Sequence, residues 1–79
     1  MISLAMMLQY RQTFPDSNIG FAEPSNRVTV IDAAGDAYDV TDMTDAEFLS
    51  TIAESKRAGK NLFFERGRKV EPLPPDIEL

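Results

Sequence analysis

The chain has neither cysteine nor histidine among its 79 residues. The first absence excludes disulfides and thiolate chemistry and leaves the redox compartment open. The second removes the usual zinc ligand and the usual acid or base at neutral pH. Long apolar runs are missing too. The longest lies around Leu4 to Leu8, far short of the roughly 20 residues a transmembrane helix needs, and no basic region precedes it as one would in a signal peptide. The expectation is a soluble, cytoplasmic protein with no membrane partner. There is also little length, and at this size a chain buries only roughly 60 to 65% of its unfolded surface, so a single domain with a small core is expected. Within that length 43% of residues are hydrophobic and 27% charged, enough apolar side chain to offset the entropy of ordering.

The best-marked element is a helix over about 44–58. Thr44 followed by Glu47 fits a capping box, in which each side chain satisfies a backbone donor left open at a helix start. Phe48, Leu49, Ile52 and Ala53 fall at spacings of three and four and leave Glu54, Lys56 and Arg57 to the other faces. Gly59 suits the left-handed position that ends a helix, and the acids at the start and bases at the end match the helix dipole.

On either side the sequence predicts strands. Over 1–11 the residues alternate, with Ile2, Leu4, Met6, Leu8 and Tyr10 on one face, which predicts a long strand. Residues 13–26, rich in Pro, Asp, Asn, Ser and Gly, predict a long loop tacked down by Ile19 and Phe21. Arg27–Ile31 and Ala37–Val40 predict a hairpin around Asp32-Ala33-Ala34-Gly35-Asp36. Asn61–Glu65 predicts a further strand, with Arg66-Gly67 turning the chain so that 68–73 runs back along it. Pro72, Pro74 and Pro75 lack amide donors and end pairing. The expected architecture is therefore α+β: a small antiparallel sheet of four to five strands with one α-helix on one face. Residues 1–71 form the domain and 72–79 an extended Pro-rich tail. The expected core is Ile2, Leu4, Leu8, Val28, Val30, Tyr38, Val40, Leu49, Ile52 and Phe64.

Charge is the one unevenly distributed feature. Between Asp32 and Glu54 lie seven acids and no base, whereas Lys56 to Lys69 holds six bases and one acid. Local helix and turn physics favours such placement. The same pattern also predicts an acidic ridge of Asp32, Asp36, Asp39, Asp42 and Asp45 that would meet a partner with a basic surface. A secondary, basic contact falls at Arg66, Arg68 and Lys69. The aspartate spacing does not match a calcium loop, so no metal and no cofactor are expected. Phe63-Phe64-Glu65-Arg66-Gly67-Arg68-Lys69 combines aromatics with bases as single-strand binders do, but a net charge of −5 opposes a phosphate backbone. Lys69 to Pro75 formally fits a polyproline-groove ligand. No residue stands out as a nucleophile or general base.

These features predict a non-enzymatic protein that acts by binding another protein, through the acidic ridge or a sheet edge. In size, acidity and one helix on a small antiparallel sheet, the chain resembles in outline several phage-encoded inhibitors, anti-CRISPR proteins among them. Some of those present acids where DNA phosphates would go, and the resemblance implies an inhibitor of phage or mobile-element origin. The alternative is a small structural subunit of a larger assembly, such as a phage particle. Nothing in the sequence sets the oligomeric state.

Overall fold

A computed structural model of the chain describes residues 2–22, 26–71 and 77–78. The architecture is α+β, with helices on a small antiparallel sheet. Helix α1 (Leu4–Thr13) leads into β1 (Asn18–Ala22), the hairpin of β2 (Arg27–Ile31) and β3 (Ala37–Asp39), and then α2 (Asp45–Ala58). A one-turn α3 (Phe63–Arg66), β4 (Arg68–Val70) and the two-residue β5 (Ile77–Glu78) complete it. The sheet order is β4-β3-β2-β1-β5.

The central helix matches its sequence signals. Thr44 and Glu47 form the capping box, with the Glu47 amide donating to Thr44 Oγ1 at 3.1 Å and the Thr44 amide to Glu47 Oε1 at 3.2 Å. Gly59 closes the helix at φ 70°, which a side chain would make costly. The β2–β3 hairpin is likewise as expected, with Val30 opposite Tyr38. Asp32 Oδ1 accepts from the amides of Ala34 (3.0 Å) and Asp36 (2.9 Å), and so builds the loop.

Three expected elements differ. The first eleven residues are not a strand: α1 starts at Ser3, whose side chain accepts from the Met6 amide at 3.3 Å. Ala, Leu, Met and Gln are strong helix formers, and a stretch so rich in apolar side chains satisfies period two and period 3.6 together. The helical stripe of Met7 and Tyr10, flanked by Met6 and Phe14, is what packs inward, while Leu4 and Leu8 are 60% and 47% exposed. Second, the expected loop over 13–26 contains β1, in which Ile19 and Phe21 pair with Val30 and Val28. Only Pro15 to Ser17 turns the chain ahead of it. Third, Asn61–Glu65 is not a strand. The Asn61 side chain accepts from the Phe63 amide at 2.9 Å and Ser55 Oγ from the Leu62 amide at 3.1 Å, starting the short α3. Residues 68–70 consequently pair with β3 instead of folding back on 61–65. The sheet thus carries α1, α2 and α3 rather than one helix. The expected Pro-rich tail falls mostly on 72–76 and 79, outside the described residues; Ile77–Glu78 pairs with Phe21 and Gly20 of β1.

The core lies between α1, α2, α3 and the sheet. Ile2, Val28, Val30, Val40 and Ile52 are buried as expected, joined by Met7, Tyr10, Ile19, Ala37, Phe48 and Phe63. Leu49 is 46% exposed, and Tyr38 and Phe64 are half-buried with their rings 5.1 Å apart. At the centre Phe63 touches Tyr10, Phe14 and Phe48, with ring centroids 5.2, 6.0 and 4.7 Å apart. The helices α1 and α2 run the same way. The Ser3 amide at the start of α1 donates to Asp45 Oδ1 at the start of α2 (2.9 Å), and Thr13 and Phe14 share a hollow with Ser55, Lys56 and Gly59 at the far end.

Candidate functional site

An open cleft of about 760 Å³ lies between the first half of α2 and the β3–β4 end of the sheet. Val40, Met43 and Ala46 supply its apolar surface, with Asp39, Asp42, Glu47, Glu54, Arg66 and Arg68 around them. Its position follows from the topology. The chain leaves β3, turns through Thr41 and Asp42 and enters α2 at the capping box, so the acids before and within the first turns of the helix border the hollow that α3 and β4 close on the other side.

The expected acidic ridge does not form one carboxylate surface. Asp32 is a loop-building residue, as above, and also accepts from the Tyr38 hydroxyl at 3.4 Å. Asp36 pairs with Lys69 at 3.7 Å. Asp39 lies on the sheet face between Arg27 Nε at 3.5 Å and Arg68 at 3.8 Å, and accepts from the Thr41 amide at 2.9 Å. Burial alone would raise the Asp39 pKa, but the Thr41 hydrogen bonds and the two guanidinium charges outweigh it and hold the carboxyl below its ordinary range. Asp45 faces Ser3. Only Asp42 is exposed with no partner among the described residues.

The expected basic contact is consumed by the same pairing. Register sets Tyr38 opposite Lys69 and Asp39 opposite Arg68, so the acids of β3 and the bases of β4 neutralise one another. Arg66 donates to Thr51 Oγ1 at 3.1 Å and to Glu54, and the Arg66 hydrogen bond holds the Glu54 carboxyl below its usual pKa. Among described acids and bases, those without an opposite charge within ion-pair distance include Asp42, Asp45 and Glu47 at the start of α2, and Lys56 and Arg57 at its end. The fold converts a charge-segregated sequence into a neutralised sheet edge and a polar helix.

No protein-family model matches the chain, and no curated protein or solved structure matches it. The site must therefore be read from its own residues. Sequence reasoning missed Arg27 and Glu54 as partners and Met43 and Ala46 as cleft residues, since each depends on a pairing or a helix placement that spacing alone does not show. The half-apolar Met43-Thr44-Asp45-Ala46 run was the available signal. Among the described residues no cluster of three or more Asp or Glu is placed to hold a metal ion, and no helix is long and apolar enough to cross a membrane.

Proposed function

We propose that this protein is a non-enzymatic binder of another protein, and that the partner docks on the cleft with basic side chains set against Asp42 and Glu47. The observation that carries this reading is that these carboxylates border the apolar surface of Met43 and Ala46 with no base within ion-pair reach among the described residues. An apolar centre with a charged rim is the usual anatomy of a non-obligate interface, and unneutralised rim charge speeds encounter with a basic partner. An inhibitor of phage or mobile-element origin would use this cleft rather than a phosphate-like row of aspartates, because Asp36 and Asp39 already have cations beside them.

The test is the double variant Asp42→Asn with Glu47→Gln. Glutamine at that position still completes a capping box, so charge is removed while the helix start is kept. A partner captured with the parent protein should associate more slowly with the variant, and the difference should shrink as salt rises. Unchanged association rates and salt dependence would overturn the reading.

A second reading, a structural subunit of a larger assembly such as a phage particle, draws on a different observation. Leu4, Leu8 and Leu49 stand exposed on α1 and α2, on a helical face that a neighbouring subunit would cover.

A further inference from the structure

The outer face of the α1–α2 pair is apolar where a solvated helical face would be charged. Ala5 and Leu8 border a groove with Gln9, Gln12 and Lys56. Leu49, Ala53 and Lys56 repeat at helical spacing along the α2 side of it, and Leu49 and Ala53 are exposed. The ends of this face differ in charge. Asp45 stands in the first turn of α2 and Lys56 in the last, and neither has an oppositely charged neighbour in ion-pair reach among the described residues. The helix dipole, positive at the start and negative at the end, runs opposite to this side-chain separation and offsets part of it.

We propose that a second copy of this chain covers this face, related by a two-fold axis near Leu49 and Ala53, with the two α2 helices antiparallel. Two-fold interfaces are isologous: whatever residue i meets, its partner's equivalent meets residue i in return. An axis across the middle of α2 sets Asp45 of each copy beside Lys56 of the other, since both lie about 8 Å from the midpoint at 1.5 Å per residue. One operation then covers Leu8, Leu49 and Ala53 and neutralises both ends. A parallel arrangement would set like charges together at each end. The inference does not depend on the cleft, which lies on the opposite flank of α2.

Sedimentation equilibrium on the full chain should show a monomer–dimer equilibrium. Lys56→Glu and Asp45→Lys should each weaken the dimer by about tenfold or more, because each alone places like charges in contact twice. An equimolar mixture of the two should regain the parent's affinity, because every contact in the mixed dimer pairs opposite charges. Since the chain has no cysteine, a single Ala53→Cys should form a covalent dimer under mild oxidation, and Ala33→Cys at the exposed hairpin tip should not. This second measurement decides the matter should Asp45→Lys, which loses the Ser3 contact, fail to melt cooperatively. A protein that stays monomeric at every concentration, its helical face bare or reserved for a different protein, overturns the proposal. So does a mixture no tighter than its components, or equal cross-linking of the two cysteine variants.

Discussion

Phe63 is fully buried and its ring meets Tyr10, Phe14 and Phe48 at once, whereas Phe64, one residue on, is half-buried and touches Tyr38 at the edge of the core. Phe63→Ala should therefore cost about 3 to 5 kcal/mol, from lost transfer energy and the cavity left behind, with the aromatic contacts placing it toward the upper end. A domain of 79 residues has roughly 4 to 12 kcal/mol in total, so the variant keeps little reserve. At roughly 4 to 8 °C per kcal/mol for a chain of this size, its melting temperature should fall by at least about 12 °C. Phe64→Ala removes as many atoms from a site that water already reaches, and should cost less than half as much. Urea denaturation of both variants with the parent's m-value measures the two losses. If Phe64→Ala proves as damaging as Phe63→Ala, then 61–65 packs as the strand its composition suggests, and α3 is wrong.

The remaining predictions concern charge and close packing. Asp39 has its pKa lowered in the fold, so its contribution is present above the ordinary carboxylate pKa of about 4 and is lost as pH falls through the folded value; Asp39→Asn should destabilise the protein at pH 7 and lose that effect in acid, read by melts across pH. Burial raises the pKa of Tyr10, more than its hydrogen bonds from Asn61 and with Ser17 lower it, so spectrophotometric titration should show it ionising above the value of free tyrosine, with stability falling as pH rises through that transition; normal ionisation would place the ring outside the core. Gly67→Ala should cost about 1 to 3 kcal/mol, because the new methyl would sit 2.9 Å from the Phe63 carbonyl oxygen, 3.1 Å from Tyr38 Cβ and 3.2 Å from Val40 Cγ1; an unchanged urea midpoint would count against the α3–β4 turn.

Elements with chemical punctuation were legible in the sequence. Thr44, Glu47 and Gly59 bound α2, and Asp32 and Gly35 mark the β2–β3 loop, because capping and turn residues act through bonds to their own neighbours. The elements that were misread lack such local marks or have them obscured. In α1 the alternation of Ile2, Leu4 and Leu8 coexists with the helical stripe of Met7 and Tyr10, and only the burial of that stripe against Phe48 and Phe63 selects between them. In β1 the strand residues Ile19 and Phe21 sit beside Pro15, Asp16, Asn18 and Gly20, and pairing with β2 overrides the turn composition. Phe63 and Phe64 fit either state in a run so short, and the Asn61 cap decides for helix.

The charge pattern was visible in the sequence and its consequence was not. Asp36 and Asp39 are separated from Arg68 and Lys69 by α2, α3 and some thirty residues of chain, so at the sequence level they read as a ridge and a tip. Antiparallel pairing brings them into opposition, and Asp36 and Asp39 meet Lys69 and Arg68 across it. Arg27 joins from the other side because β2 also neighbours β3. The exposed Asp36–Lys69 pair contributes little to stability, about 0 to 1 kcal/mol, but like the pairs at the more covered Asp39 it cancels field. Among the described residues, what survives cancellation includes the acids that open α2 and Lys56 near its end, together with exposed acids elsewhere such as Asp16 and Glu71. Helix starts favour acids and helix ends favour bases for local reasons, so the central helix carries part of this residual charge, acid at one end and base at the other. The helix thus has two complementary ends, which is why the basic partner proposed at the cleft and the proposed reversed second copy would each meet opposite charge there.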